Sequence, residues 1–436
     1  MRWFVGLAIL AVTAAASLAG QQTTAPAAAP VEVTLSQAID RALQVQPAMV
    51  QARGDQRNAG SGMWAAYGEF LPTVTTGGSY ARAGGTRLNT QTNQIVSLPA
   101  GTTFQGNINA SVDLFRGFKR FGDRSAAYAT QDAADAGVVN QRFQVTLATK
   151  QAFYNALANE ELVRVAQSQV TRAQQELQIS IDKLHAGSAT RSDSLRSTVD
   201  YGNARIALLQ AQANLATAQA NLGRQIGVNQ SVRAVPDSAL PELPDTSVLR
   251  TSAVQNSPIV EQAEAQARAA GAQVTINRSS YMPSISAAIG NSYSGLDAPW
   301  TSNSKFASGW SARITASWTL FDGFSRERQM TTARVARDVA EARAADARLQ
   351  VSAQLTQQLA ALQTTYEQIS IARDNLAAAT EDLRVQNERY RVGAATILDL
   401  LTSQAALTQA EVNVVQTRFN YLIARAQVEA VVGRSL

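Results

Sequence analysis

The sequence of 436 residues contains no cysteine and a single histidine, His185. Without cysteine, the chain cannot form a disulfide, a thiolate nucleophile or a Cys-based zinc or iron-sulfur site. One histidine is also too few for a multi-histidine metal site. These absences do not exclude enzymes that catalyse reactions with carboxylates alone. We expect neither a metal nor a cofactor in this protein.

Proline is missing from two long stretches of the chain. No proline lies between Pro99 and Pro236 or after Pro299, and each stretch is about 136 residues long. At the usual frequency of about 5%, each stretch would contain about seven prolines. Because proline is excluded most strongly from helix interiors, both stretches are predicted to be long helices.

Charge and hydrophobicity limit the possible partners. The formal net charge is +5, but lysine and arginine form no basic block, so no nucleic-acid partner is predicted. Beyond the N-terminus, the longest charge-free helical candidate is residues 206–223, which contain five Gln and Asn side chains. Such a segment is too polar for a membrane-spanning helix. If this protein enters a membrane, it does so with strands.

The N-terminus has the features of an export signal. An apolar run from Phe4 to Leu18 follows Arg2 and ends in a small-x-small cleavage site, so residues 1–19 are predicted to be a signal peptide. A single membrane anchor is the alternative, but the run is short and no stop-transfer pattern follows it. Residues 20–33 would then form a low-complexity N-terminal segment of the mature protein.

The chain contains two copies of one structural unit. Residues 110–118 recur at 316–324 with six identities in nine, and the same shift of 206 carries Gly187 onto Gly393. A register kept without a gap over more than a hundred residues indicates a duplication. The predicted units are two repeats and the linker between them: residues 34–228, 247–434 and 229–246.

Each repeat is predicted to run as a helix, two strands and a helical hairpin. In the second repeat an apolar residue recurs every seven positions, which specifies side-by-side helix packing. These heptad positions are Leu355, Leu362, Ile369, Leu376, Leu383 and Tyr390. The predicted helical segments are residues 34–69, 118–227, 247–280 and 324–433. On the heptads alone, an ordinary coiled-coil scaffold is the simpler interpretation.

Four segments show the alternation of apolar and polar residues that is typical of strands. Each is about 10 residues long, which lets a tilted strand cross a bilayer. The polar faces carry Arg313 and Asp113, as in a barrel wall around water; a soluble sheet with one wet face is the alternative. Three tryptophans of this region favour a membrane interface: Trp300, Trp310 and Trp318. The predicted strands are residues 73–83, 104–115, 284–294 and 309–321.

Four strands cannot close a barrel, and an open sheet edge cannot lie in lipid. Several chains must therefore share one barrel. Two copies would give about eight strands, with an interior filled by side chains, whereas three would give about twelve, enough for an aqueous lumen.

The duplicated unit, the Leu-Phe-x-Gly-Phe junctions at 114–118 and 320–324, and the Gly-x-x-Thr-x-x-Asp turns resemble the TolC family of outer-membrane efflux proteins. The resemblance covers essentially the whole mature chain. It implies an α+β membrane protein with a trimeric TolC-like fold, in which a transmembrane β-barrel of about twelve strands, four per chain, continues into a long periplasmic α-helical barrel of coiled-coil hairpins. It also implies a passive exit duct in the outer membrane, joined to a periplasmic adaptor protein and an inner-membrane transporter.

The resemblance assigns a periplasmic gate to Asp399, Asp193 and Tyr390. Asp399 matches the pore-facing acid of the family, one per chain, where crowded like charges favour cations. Asp193 and Tyr390 match positions that link neighbouring hairpins. A second acid of some members is replaced here by Thr402. Helix N-capping is an alternative role for both aspartates.

The family's arginine partner in that link is replaced by Ala395, and Arg191 is a candidate substitute. The two hairpin turns resemble the tips that adaptors grip, although glycine ends a helix in either case. The turn residues assigned to adaptor docking are Gly187, Ser188, Val392, Gly393 and Ala394.

Two functional classes remain from the sequence. The first is a trimeric export duct, and the second is a soluble periplasmic coiled-coil scaffold. An enzyme is a third, more distant class, because the chain has no Gly-rich phosphate loop, nucleophile elbow or His-containing catalytic pair. The sequence does not specify whether a duct would carry a drug, a metal or a protein, because selection takes place in the pump.

Overall fold

The computed structural model describes residues 31–91, 93–236, 240–244, 257–296 and 305–436. The predicted signal peptide, most of the segment at 20–33, parts of the linker, the start of the second repeat and Trp300 lie outside the described residues. Within these ranges the elements are β1 (Val31–Val33), α1 (Leu35–Val45), α2 (Pro47–Gly68), β2 (Thr73–Asn89), β3 (Gln94–Arg116), α3 (Lys119–His185), α4 (Arg191–Ile226), β4 (Val232–Ala234), α5 (Pro258–Arg278), β5 (Ser284–Gly295), β6 (Phe306–Ser317), α6 (Ser325–Arg391) and α7 (Ile397–Val432).

The two helical hairpins have helices of equal length. The long helices α3 and α6 have 67 residues each, and the return helices α4 and α7 have 36 each. At a rise of 1.5 Å per residue, a long helix extends for about 100 Å. The equal lengths follow from equal end signals, since α3 and α6 both begin after a phenylalanine in the left-handed conformation.

The first predicted helix, over residues 34–69, is divided in two. Gln46 has extended backbone (φ −65°, ψ 126°) between α1 and α2. A residue before proline is disfavoured in helical backbone, and Pro47 has no N–H to continue α1, although it suits the first position of α2. The prediction of one uninterrupted helix was therefore wrong at Gln46.

The heptad residues of the second hairpin form its core. Leu355, Leu359 and Leu362 are at most 4% exposed, and they pack with Tyr421 and Val428 of α7. A second cluster closer to the turn joins Leu383 and Tyr390 to α7 residues including Leu400 and Leu407. The hairpins are thus held by side-by-side packing along most of their length.

Strands β2, β3, β5 and β6 form one antiparallel sheet in the order β2-β3-β5-β6. The register aligns apolar residues across all four strands, as in the row Val74, Ala110, Ile289 and Ala312. The adjacent row lies on the opposite face and consists of Thr73, Ser111, Ala288 and Arg313. One face of the sheet is therefore predominantly apolar and the other predominantly polar. No helix in the described ranges combines the length and the apolar character needed to cross a bilayer.

The first strand hairpin is longer than the sequence predicted. Strands β2 and β3 have 17 and 23 residues, whereas the predicted segments ended at residue 83 and began at residue 104. Pairing resumes after a bulge between Ala83 and Gly85 and continues to Asn89 opposite Gln94. The small residues around the bulge, such as Gly84 and Ala100, carry no alternating side-chain pattern. The alternation is interrupted at the bulge, and for this reason the predicted strands stopped short of the outer part of the ribbon.

The last strand ends earlier than predicted. β6 covers Phe306–Ser317, not residues 309–321, and Ser317 pairs with Ser284, the first residue of β5. The next partner in the ladder would be Pro283, which has no N–H to donate. Trp318 therefore lies beyond the strand, where its indole N–H donates to the Tyr281 carbonyl at 3.2 Å.

Candidate functional site

The two hairpin turns have the same backbone design. Gly187 and Gly393 have φ of +71° and +80°, a conformation that glycine adopts without strain. The N–H of Gly187 donates to Leu184 at 3.0 Å and that of Ser188 to Lys183 at 2.9 Å. These are the paired bonds that end a helix in a Schellman turn. They fix the direction in which each return helix leaves the tip.

Each return helix begins with a reciprocal capping box. The Asp193 N–H donates to Thr190 Oγ1 at 3.3 Å, and the Thr190 N–H donates back to Asp193 Oδ2 at 2.9 Å. Asp399 and Thr396 repeat the arrangement at 3.3 and 2.9 Å. The N-capping role that the sequence left open for both aspartates is therefore present.

Hydrogen bonds keep both capping carboxylates ionised. The Thr190 backbone N–H, followed by its hydroxyl, lowers the pKa of Asp193. The Thr396 hydroxyl, followed by its backbone N–H, lowers the pKa of Asp399. The Asp399 side chain is exposed at the tip, so its charged carboxylate faces the solvent.

Tyr390 connects the two hairpins of the chain. The Lys183 ammonium, on the first hairpin, donates to the Tyr390 carbonyl and lies 3.8 Å from the centre of its ring. Burial raises the pKa of Tyr390, and the charges of Glu176 and Asp193 raise it further. The Tyr390 hydroxyl has no hydrogen-bond partner among the described residues, so its link to Asp193 is not a direct bond here.

Lys183 and Glu176 were not singled out from the sequence, although both lie at this contact. Glu176 is 3% exposed, and burial raises its pKa to about 7 despite the nearby charge of Lys183. A signal was present, because the shift of 206 places Glu176 on Asp382, so an acid interrupts the heptad helix at the same level in both repeats.

The other predicted tip residues are placed as follows. Arg191 is exposed, and within the described ranges no ion pair or hydrogen bond joins it to Asp193 or Tyr390. Ala395 packs at the edge of the apolar cluster around Tyr390. All five turn residues assigned to adaptor docking are exposed, and Val392 is 73% exposed.

Two of the three predicted interface tryptophans can be located. Trp310 is 78% exposed within β6, and Trp318 is 60% exposed just after it. Eight residues of strand at 3.3 Å each place the two about 26 Å apart along the strand direction. Aromatic rings also flank both strand-to-helix junctions, where Phe115 meets Phe118 and Phe321 meets Phe324 edge to face.

The arrangement at the tips offers exposed charge and hydrogen-bonding groups. Among the described residues, no group of three or more His, Asp and Glu side chains is placed to hold a metal ion.

Comparison of the chain with sequence profiles of protein families shows the family to which it belongs. The profile of the family described as Outer membrane efflux protein matches residues 38–228 and 249–434, which is most of the chain. The chain belongs to this outer membrane efflux protein family. It is accordingly an outer-membrane protein that extends into the periplasm, and the resemblance to TolC-family efflux proteins is confirmed.

Individual relatives of the efflux family are distant. Protein CyaE of Bordetella pertussis is 27% identical over 263 residues, which cover 58% of this chain and 54% of CyaE. Outer membrane efflux protein BepC of Brucella suis is 23% identical over 429 residues, which cover 97% of this chain and 90% of BepC. The chain thus spans about half the length of CyaE and most of BepC.

Solved structures confirm the predicted TolC-like fold. The Campylobacter jejuni CmeC outer membrane channel superposes with a TM-score of 0.79 at 16% identity, covering 92% of this chain and 85% of CmeC. At this identity the similarity concerns the fold, and the roles of individual tip residues stay predictions.

Proposed function

We propose that three copies of this chain form a passive exit duct, which receives substrates from an inner-membrane pump through a periplasmic adaptor. The observation that carries the proposal is the open four-stranded sheet with one apolar and one polar face, attached to hairpin helices of 67 residues. The polar face would line the lumen and the apolar face would meet lipid. The helices would extend the lumen across the periplasm.

The sheet edges support the sharing of one barrel. In the described sheet β2 and β6 are the outer strands, and each leaves a row of backbone N–H and C=O groups without a strand partner. Unpaired backbone groups are too costly in lipid, so closure requires β6 of one copy to pair with β2 of the next. Three copies give about twelve strands and an aqueous interior.

Exposed apolar side chains on the helices support the same assembly. Ile206 and Leu209 of α4 are each 66% exposed, and Leu349 of α6 is 71% exposed. Side chains of this size gain about 1.5–3 kcal/mol each when they are fully buried. Neighbouring copies in a helical barrel would cover them.

The tips supply the two functions that a duct requires at its inner end. The exposed turns of residues 187–188 and 392–394 are proposed to dock the adaptor. Asp399 is proposed to form a ring of three carboxylates, and Asp193 and Tyr390 to hold the hairpins together. Hydrogen bonds from Thr396 lower the pKa of Asp399 and so oppose the rise that three crowded carboxylates would cause in one another. Cargo selection is left to the pump.

Ion selectivity in planar bilayers tests the duct and the ring together. The full-length protein is expected to form cation-preferring channels, and Asp399→Asn should weaken that preference, measured as the reversal potential in a salt gradient. Thr396→Ala is the matched control, since it breaks the same capping box but keeps the Asp399 charge. Unchanged selectivity in Asp399→Asn would remove Asp399 from the constriction, and a complete lack of conductance would favour the periplasmic scaffold.

A further inference from the structure

Besides the Nε of Arg172, whose guanidinium is paired with Glu411, three polar atoms are buried without a hydrogen-bond partner near the contact between the two hairpins. They are Glu176 Oε1 on α3, Ser197 Oγ on α4 and the Tyr390 hydroxyl on α6. Glu176 is 3% exposed, Ser197 is 1% exposed and Tyr390 is 7% exposed. Buried polar atoms are nearly always bonded in folded proteins, so a group of three calls for a physical explanation.

The second repeat shows what the same pair of residues does when the acid is exposed. The shift of 206 places Glu176 on Asp382 and Ser197 on Ser403. Ser403 Oγ donates to Asp382 Oδ2 at 2.5 Å, and Asp382 is exposed. The second-repeat acid is therefore exposed and bonded to a serine, whereas the first-repeat acid is buried and its Oε1 has no partner.

Burial of an ionised carboxylate without a partner is costly, and the neutral acid avoids that cost. A protonated carboxyl also has an O–H donor, which the carboxylate lacks. The packed position of Glu176 therefore favours the protonated form.

The charged groups around Glu176 do not offset its burial. On its own helix, Lys183 bonds to the Tyr390 carbonyl, and Arg172 is held by Glu411 of α7 at 2.7 Å. On α4, Asp193 carries negative charge, and burial raises the pKa of Asp200. On α6, the facing group is the neutral Tyr390. Burial is thus the dominant influence, and it raises the pKa of Glu176 to about 7.

We propose that Glu176 carries a proton while the two hairpin tips of a chain are packed together and releases it when they separate, which makes the contact a proton-linked switch. The switch acts within one chain, and it rests on the proposed duct only for its role in opening the periplasmic end. When the tips separate, Glu176 is hydrated and returns to the usual glutamate pKa of about 4.3.

The direction of the effect follows from these two states. Packing is most favourable below the pKa of the hydrated acid and weakens as the pH rises toward about 7, the value in the packed state. Above that value both states are ionised and the effect levels off. Higher pH therefore favours separated tips.

Distances between spin labels test the proposal on the full-length protein. Labels on Ser188→Cys and Ala394→Cys report one tip each, since the natural chain has no cysteine. All chains carry His185→Gln, because imidazole groups titrate in the same pH range. Labelled chains are diluted with unlabelled ones, so that only distances within a chain are measured.

The population of separated tips is expected to rise at least about tenfold between pH 5 and pH 7. Glu176→Gln, which imitates the protonated acid, should stay packed throughout this range. Asp382→Asn is the matched control and should respond to pH as the parent does. The proposal is overturned if the parent does not respond to pH, or if Glu176→Gln responds as strongly as the parent.

Infrared spectroscopy provides a second measurement that does not depend on opening. A protonated carboxyl should absorb at pH 6 in the parent and be lost in Glu176→Gln; no such band in the parent also overturns the proposal. Both measurements are independent of conductance. A pH-dependent tip contact without channel activity would contradict the duct and leave the switch standing.

Discussion

The two helical hairpins of this chain have the same backbone but different surroundings. Their helices match in length, and their turns and caps have the same backbone design, with glycine, threonine and aspartate at equivalent positions. Their tip-proximal acids do not, because Asp382 is exposed and bonded to Ser403, whereas Glu176 is buried without a partner on Oε1. The helix-end signals that both repeats retain give the two hairpins the same backbone. Contacts between the two repeats of a chain differ at equivalent positions, so equivalent side chains differ in burial and hydrogen bonding.

Glycine-to-alanine substitutions at the two strand-to-helix junctions should give the largest difference in stability between the repeats. Gly117 and Gly323 both have positive φ, of +58° and +65°. A Cβ at Gly117 would lie 2.5 Å from the Ser279 carbonyl oxygen, whereas one at Gly323 meets nothing within 4 Å. Gly323→Ala should therefore cost about 1–2 kcal/mol of backbone strain, and Gly117→Ala should add about 1–3 kcal/mol of steric strain to that.

The free energies of unfolding of the two glycine variants, measured by chemical denaturation in detergent, check this order. Equal losses would mean that the backbone around Ser279 moves aside, and that the first junction is no tighter than the second.

Removal of the ion pair between the hairpins should cause an intermediate loss of stability. Arg172 of α3 donates to both carboxylate oxygens of Glu411 on α7, at 3.0 and 2.7 Å, and both side chains are about one-fifth exposed. Arg172→Ala leaves Glu411 without this partner and should cost about 1–3 kcal/mol. Amide hydrogen exchange should then be faster in the parts of α3 and α7 that surround Arg172 and Glu411.

Arg384→Ala is the control for the ion pair. It removes a fully exposed pair with Glu381 on the surface of α6, where solvent screens the charges, and should leave exchange rates nearly unchanged. If the two variants exchange at equal rates, the Arg172 pair does not hold the hairpins together.

The capping boxes should give the smallest difference, because they are the feature that the repeats share most closely. Thr190→Ala and Thr396→Ala should each cost about 1 kcal/mol of local stability, seen as faster amide exchange in the first turns of α4 and α7. The pKa values of Asp193 and Asp399 are lowered, so the stabilisation is present at neutral pH and lost as the pH falls through them. A clearly larger effect in one repeat would show that its cap has a second structural role.

The sequence predicted the features that depend on local signals. The positions of Gly187, Gly393 and the Thr-x-x-Asp caps follow from helix-end chemistry, and the heptads identify the faces that pack. The fold class followed from the resemblance to the TolC family, which rests on the duplicated unit and its junction and turn motifs. The helix-end and heptad signals each lie within a few turns of chain.

The features that the sequence did not predict depend on which elements meet. The contact of Lys183 with Tyr390 joins residues that are 207 positions apart, and no local pattern indicates it. The outer part of the β2-β3 ribbon was missed because the small residues at its bulge, such as Gly84 and Ala100, interrupt the alternation. The end of β6 depends on Pro283, which directly precedes its partner strand β5, and only the register reveals that Pro283 lies opposite Trp318.

In the proposed duct, three chains share one barrel. The mass of the detergent-purified mature protein, measured by light scattering and corrected for bound detergent, tests this assembly. Three chains per particle are expected. A monomer that stays soluble without detergent would contradict the shared barrel and favour a periplasmic scaffold.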